Sequence, residues 1–190
     1  MANNKKAVIL QAAYELFLEN GYDNTTIKMI AGQAGVAQGH IYSFYPSKEL
    51  LFADVLCKAQ ESYQTKMYTA VQEFADLPAE EFAQKCVDVI LDFRPEASLV
   101  ISSAAISKIR YLAEPILKEY SDGMVEMMQP RYPGLPSGLL YDIGNALLAV
   151  SDSLLIDGDR ERGIRTGIFV LKLIDSHLCD LGQSDDRVVG

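Results

Sequence analysis

Apolar residues recur at intervals of three and four along almost the whole of this 190-residue chain, and this spacing constrains the fold more than any other feature. In an α-helix such positions share one face, whereas a half-buried strand alternates apolar and polar residues. We find no stretch with strand-like alternation. Proline and glycine interrupt the pattern, as is typical of joints between helices. The sequence therefore predicts an all-α protein.

The first 45 residues predict three short helices. Asn20-Gly21 ends the first helix, and Thr25-Thr26 supplies an N-cap for a second helix that stops at Gly35. A third segment runs from Gln38 to Tyr45 and is rich in aromatic residues. Two short helices joined by a glycine-containing turn are typical of a helix-turn-helix. The apolar stripe of the first helix is Val8, Ile9, Ala12, Ala13, Leu16 and Phe17.

Beyond Ser47 the pattern predicts further helices, with proline and glycine between them. Pro95 and Pro115 are each expected to open a helix, and the segment Gln129 to Gly138 is the strongest break. The other predicted helices run from Leu50 to Phe74, from Pro78 to Arg94, from Leu139 to Ile156 and from Arg160 to Leu181.

Composition excludes several classes of protein. A hydrophobic fraction of 49% is too high for a disordered chain. No apolar run reaches the roughly 18 uninterrupted residues of a membrane span, and Lys5-Lys6 is not followed by the continuous apolar stretch of a secretion signal. We therefore expect a soluble, cytoplasmic protein with no membrane partner.

Residues that carry catalytic or metal chemistry are sparse. The chain has two histidines, His40 and His177, and its three cysteines lie far apart in helical patterns. Neither a His-Glu-x-x-His pattern, nor a phosphate-cradling glycine loop, nor a Gly-x-Ser-x-Gly elbow is present. We expect no enzyme activity, no cofactor and no metal site.

Charge is distributed unevenly along the chain. In residues 1–48, four lysines face three carboxylates, a balance of +1; since the total is -9, the remainder carries -10. With this distribution, the weakly basic residues 1–48 can approach a polyanion, whereas the acidic remainder is repelled by it.

Four short stretches, in this order, carry a resemblance to a known family. They are residues 25–31 (TTIKMIA), 34–36 (AGV), 39–42 (GHIY) and 47–51 (SKELL). Together they resemble the N-terminal signature of the tetracycline-repressor (TetR) family, over about the first quarter of the chain. The resemblance implies a helix-turn-helix DNA-binding domain at 1–47 and a helical effector-binding and dimerisation domain at 48–190.

The function implied by this resemblance is a ligand-responsive transcriptional regulator. It would bind a palindromic operator as a homodimer, act as a repressor in the family's commoner mode, and be released by a small, largely apolar effector. The alternative is a helical adaptor that binds another protein and has no sequence-specific contact with DNA.

The third helix is expected to turn Ile41 and Tyr45, four residues apart, towards the other helices and its remaining side chains towards DNA. Gln38 can pair with adenine and Lys28 can also read bases, while the resemblance implies phosphate contacts for Tyr42 and Lys48. The order Phe44-Tyr45 departs from the family pattern, which puts one backbone contact in doubt. The full predicted DNA-binding set is Thr25, Thr26, Lys28, Gln38, Gly39, His40, Tyr42, Ser43, Phe44 and Lys48. The threonines could instead serve only as caps, and Tyr42 could be core.

Two larger sets are predicted in the remainder of the chain. An apolar effector cavity could be lined by Tyr63, Met67, Phe82, Cys86, Phe93, Ser102, Ser103, Ile106, Arg110, Tyr111, Met124, Met127 and Met128. A two-fold interface is implied for the stripes Leu139, Ile143, Leu147, Val150, Leu154, Ile164, Ile168, Leu171, Ile174 and Leu178. Either set could instead be ordinary packing within one subunit.

Overall fold

The computed structural model describes residues 2–185, and within them it contains ten α-helices and no strand, which confirms the predicted all-α class. The helices are α1 (Ala2–Asn24), α2 (Ile27–Ala34), α3 (Gln38–Phe44), α4 (Lys48–Phe74), α5 (Ala79–Asp92), α6 (Arg94–Ala105), α7 (Arg110–Asp122), α8 (Met124–Met128), α9 (Ser137–Asp157) and α10 (Arg160–Asp185). In this part of the chain, no helix is long and apolar enough to cross a membrane.

One predicted helix start is wrong. Pro115 lies inside α7 and does not open it. An interior proline removes one backbone hydrogen bond and costs about 3 kcal/mol. Ala113 and Ile116, on either side of the proline, are both buried in the same hydrophobic cluster, and this burial offsets the cost of the proline.

The chain divides into two compact units, and the first comprises the residues up to Gln64 together with Pro95–Tyr120. Its core joins the three N-terminal helices to the beginning of α4 and to α6 and α7. The predicted stripe of α1 lies in this core, except that Val8 is exposed. The predicted functional division at residue 47 stays a prediction, and the packing unit extends beyond it.

Three aromatic rings lie at the centre of this core. Phe17 meets Phe52 edge to face, with 4.7 Å between ring centroids, and Tyr22 packs on Phe52 at the same distance. Such pairs contribute about 0.5–1.5 kcal/mol each beyond the area they bury. They attach the end of α1 to the first turns of α4.

The second unit comprises Thr65–Arg94 and the residues from Ser121 onward. In it, α10 packs against α5 and α9. A Cβ added at Gly163 would lie 2.9 Å from a methyl carbon of Leu154, so glycine permits close approach of α9 and α10. This close approach occurs within one chain.

Candidate nucleic-acid interface

The corner between α2 and α3 is fixed by local hydrogen bonds. The hydroxyl of Thr26 accepts from the backbone N–H of Met29 at 3.2 Å and caps α2. Gly35 ends α2 at φ 65°, a left-handed conformation that favours glycine. The backbone N–H of Val36 then donates to the carbonyl of Ala31 at 3.0 Å. These bonds set the direction in which α3 leaves the turn.

The orientation of α3 is as predicted. Ile41 and Tyr45 are buried in the core of the first unit. Gln38, His40 and Tyr42 are exposed, and Tyr42 keeps 50% of its surface open. The other exposed members of the predicted set are Thr26, Lys28, Gly39 and Ser43. The structure thus brings these seven residues to the surface of one helix-turn-helix, and their contact with DNA stays a prediction.

The reversed aromatic pair Phe44-Tyr45 has a structural explanation. The Tyr45 hydroxyl donates to Oδ2 of Asp54 at 3.0 Å, and Lys6 Nζ lies 3.3 Å from the same oxygen. Burial and the Asp54 carboxylate raise the pKa of Tyr45. Phe44 is half-buried against the core. The Phe44 side chain has no group that can donate to a phosphate, so the loss of one contact with the DNA backbone stays a prediction.

The predicted role of Thr25 is wrong. Its side chain has 0% exposure, and its hydroxyl lies 2.8 Å from the carbonyl oxygen of Gly21 and 3.0 Å from that of Leu16. The hydroxyl shares its single proton between these two acceptors, which belong to the last turns of α1. Thr25 therefore closes the end of α1 and has no surface for a phosphate.

Lys48 is also engaged within the protein. Its Nζ donates to the carbonyl oxygen of Tyr22 at 2.5 Å and lies 4.1 Å from the centroid of the Tyr22 ring. Burial, followed by the nearby charge of Lys108, lowers the pKa of Lys48. In the arrangement described, its ammonium group is directed at the end of α1, and its predicted phosphate contact requires release of this bond.

The sequence analysis missed Lys108, which lies between α6 and α7. Its Nζ lies 2.6 Å from Oδ1 of Asp23 and 5.1 Å from the centroid of the Tyr22 ring. The side-chain hydrogen bond from Lys108 lowers the pKa of Asp23. The pair is 85 residues apart in the chain, so no local pattern indicates it. Lys108 therefore neutralises the Asp23 carboxylate at the surface of the first unit.

A small apolar cavity of about 60 Å³ lies within the second unit. Four predicted effector residues line it, namely Met67, Phe82, Cys86 and Met128, and Ser151 carries the one hydroxyl among its described lining residues. Burial raises the pKa of the Cys86 thiol to about 12. Its other lining residues are Val71, Ala83, Val87, Ile90, Leu147, Val150, Gly167 and Leu171.

The other predicted effector residues with described side chains do not line this cavity. Ser102, Ser103, Ile106, Arg110, Tyr111 and Tyr63 belong to the first unit, and Phe93 and Met127 belong to the second. The hydroxyls of Ser102 and Ser103 both donate to the carbonyl of Leu99. The side chain of Met124 lies outside the described residues. For all of these, ligand binding stays a prediction.

The predicted interface stripes are turned inward at three positions. Ile143, Leu154 and Leu171 are buried in the protomer, so the prediction that they face a second copy is wrong. The other seven positions are half-buried and stay predictions. Among the described side chains of α10, the large exposed apolar ones are instead Phe169, at 67%, and Leu173, at 61%. A shallow groove of about 190 Å³ lies beside Val150, Leu154 and Gly163.

Comparison with known proteins finds similarity to a family model, to sequence relatives and to solved structures. Residues 9–55 match the family model described as bacterial regulatory proteins, tetR family. The chain is 33% identical over 101 residues to the HTH-type transcriptional regulator YhgD of Bacillus subtilis, covering 53% of this chain and 52% of the relative. It is 33% identical over 95 residues to the HTH-type transcriptional regulator RutR of Escherichia coli, covering 50% and 44%. The matches thus span about half the length of these relatives.

The fold is shared with solved regulators. A TetR-family transcriptional regulator from Streptomyces coelicolor superposes with a TM-score of 0.67 at 16% identity, over 90% of this chain and 93% of that one. The fatty acid degradation regulator FadR from Bacillus halodurans gives 0.60 at 20% identity, over 88% and 94%. At these identities the likeness establishes the fold alone. The sequence relatives YhgD and RutR are both named as transcriptional regulators.

Proposed function

Because this chain belongs to the TetR family of bacterial regulatory proteins, we propose that it is a cytoplasmic, ligand-responsive transcriptional regulator that binds operator DNA through α3. The observation that carries the proposal is the division of α3 into two faces. Ile41 and Tyr45 fix the helix to the core, while Gln38, His40 and Tyr42 are exposed beside a hydrogen-bonded corner. A helix held in this way can enter the major groove.

The roles of the exposed groups follow from their chemistry. Gln38, at the first position of α3, offers an amide that pairs with adenine in a bidentate manner. The exposed Tyr42 hydroxyl and the Thr26 hydroxyl are donors for phosphate oxygens. Lys28 supplies an exposed positive charge. Affinity for DNA would come from the phosphate contacts and specificity from Gln38.

The first experiment is selection of bound sequences from a random duplex library, followed by fluorescence anisotropy at several salt concentrations. Affinity is expected to fall steeply with salt, because each neutralised phosphate adds about 0.9 to the slope of log affinity against log salt. Binding that is absent or insensitive to salt would support the protein-binding adaptor instead.

A matched pair of glutamine variants tests the reading face. Gln38→Ala is expected to relax preference at one base position, at a cost of about 1–3 kcal/mol for the preferred base. Gln84→Ala on α5 removes the same exposed side chain far along the chain from the helix-turn-helix and serves as the control. Equal effects of the two changes would contradict the assignment of Gln38.

We further propose a homodimer and repression as the mode of action. A two-fold operator needs two copies of α3, and α10 presents Phe169 and Leu173, one turn apart and open to solvent. Leu173→Glu is expected to weaken self-association measured by sedimentation velocity, whereas Tyr68→Glu, at another exposed ring of the second unit, is the control. A wild-type chain that stays monomeric at micromolar concentration would refute the dimer.

A further inference from the structure

Two buried side-chain nitrogens in the described part of the chain lack a hydrogen-bond partner: Nε2 of Gln60 and Nε of Arg131. The Arg131 side chain is only 7% exposed. A buried donor without an acceptor destabilises the folded chain, because it has given up its hydrogen bonds with water. Such a group is unusual in a folded protein and calls for an explanation.

The other atoms of the Arg131 guanidinium are already engaged. One terminal nitrogen donates to the carbonyl oxygens of Ala75 and Leu77, both at 3.0 Å. The other lies 3.6 Å from Oδ2 of Asp175, whose Oδ1 accepts from the Tyr132 hydroxyl. The positive charge is therefore balanced by one carboxylate and two carbonyl dipoles, while the Nε–H group alone is left over.

This guanidinium lies next to the apolar cavity of the second unit. Its central carbon stands 4.2 Å from the centroid of the Phe82 ring, and Phe82 lines the cavity. The positive charge also acts on Cys86, another lining residue, and slightly opposes the effect of burial on that thiol's pKa. Arg131 thus stands one aromatic ring away from the cavity.

The charges around Arg131 indicate whether a ligand atom that accepts from its Nε–H group should be charged or neutral. An anionic ligand would add a second negative charge beside Asp175 in a largely apolar environment, which is costly. A carbonyl oxygen accepts the Nε–H bond without adding charge. The cavity, at about 60 Å³, is small beside the 300–1,000 Å³ of common ligand sites, so the unbranched side chains of Met67 and Met128 must yield.

We propose that this cavity binds a neutral apolar molecule with one carbonyl oxygen, such as a ketone, ester or lactone, and that Arg131 Nε donates to that oxygen when the Phe82 ring moves aside. The inference rests on the proposed effector-responsive function and names the effector's chemical class. Arg131 is then the residue that determines specificity.

The test is calorimetric titration of the full chain, without DNA, with four probes of similar size. These are heptan-2-one, hexan-1-ol, hexanoate and hexylammonium. Heptan-2-one is expected to bind most tightly, and hexanoate roughly tenfold or more weakly because its charge must be buried. Hexanoate binding as tightly as the ketone would overturn the proposal, as would the absence of heat from heptan-2-one.

Two variants separate Arg131 from the other polar group of the site. Arg131→Lys keeps the charge but removes the Nε–H donor, and it is expected to weaken ketone binding by roughly 10- to 100-fold. Ser151→Ala removes a hydroxyl that lines the cavity and already donates to the Leu147 carbonyl. The affinity of this variant for heptan-2-one is therefore expected to stay within roughly twofold of the parent value. The reverse order of effects would overturn the assignment.

A third variant covers the case in which Arg131→Lys does not fold. Phe82→Leu keeps the guanidinium and removes the ring between it and the cavity, so ketone affinity is expected to rise while hexanoate stays weak. An unchanged affinity of Phe82→Leu for heptan-2-one would overturn the proposal that the Phe82 ring must move aside before Arg131 reaches the ligand. Because these titrations contain no DNA, failure to bind the ketone refutes this inference alone, whereas failure to bind any duplex refutes the proposed regulator alone.

Discussion

Replacing Thr25 by valine tests whether this residue is part of the fold or of the DNA contact. Valine has nearly the same shape, so the change removes the hydroxyl and little else. That hydroxyl is fully buried and lies within hydrogen-bond distance of the carbonyl oxygens of Gly21 and Leu16. Leu16 also accepts from the side chain of Asn20 at 3.2 Å, so the loss falls chiefly on Gly21.

The expected cost of Thr25→Val is about 1–3 kcal/mol, the usual range when one partner of a buried hydrogen bond is removed. For a chain of this size, this corresponds to a fall in Tm of roughly 2–12 °C, which circular dichroism during heating would measure. DNA affinity, determined by anisotropy well below the transition, is expected to remain at the parent value. Thr25→Ser keeps the hydroxyl and is the matched control.

The opposite pattern would refute this reasoning. A Thr25→Val protein that melts with the parent but binds DNA several-fold more weakly would mean that the hydroxyl reaches a phosphate in the bound state. The burial described here would then not apply to the complex.

Two further predictions concern stability. The pKa of Glu49 is lowered by its own backbone N–H and then by the Tyr22 hydroxyl. The ionised carboxylate therefore stabilises the fold above the unfolded carboxyl pKa of about 4.3, and this stabilisation is lost as the pH falls below that value. Between pH 6 and pH 3, the free energy of unfolding of Glu49→Gln, measured in urea, should therefore fall less than that of the parent. Gly163→Ala would place a Cβ 2.9 Å from Leu154, and we expect a loss of about 1–3 kcal/mol in urea denaturation; a variant as stable as the parent would show that Leu154 can turn aside at no cost.

Local pattern predicted the three N-terminal helices, and the resemblance of residues 25–51 to the TetR signature identified them as a helix-turn-helix, but neither settled the role of each threonine. The spacing of Ile41 and Tyr45 fixes which face of α3 is buried, because residues four apart share a side of a helix. Thr25 and Thr26 are adjacent, yet the hydroxyl of Thr25 is buried and the hydroxyl of Thr26 caps α2 at the surface. The spacing of apolar residues cannot predict which of two neighbouring threonines is the cap.

Partners that are distant in sequence could not be predicted. Lys48 reaches a backbone carbonyl 26 residues away, and Lys108 reaches a carboxylate 85 residues away. Likewise, an apolar stripe shows that a helix face will be covered without showing what covers it. The partners of Ile143 and Leu154 lie within the same chain, which the spacing of their stripe does not distinguish from a second subunit.

The core of the first unit has a consequence for truncation. Leu51, Phe52 and Val55 of α4, and Ile109 between α6 and α7, belong to the same cluster as the N-terminal helices. A fragment that stops after α3 would leave Ile9, Phe17 and Ile30 facing water, and one that stops after α4 would still lack the layer that α6 and α7 provide. The three N-terminal helices therefore do not form an autonomous module, and grafting them onto another protein would require these later helices to be included.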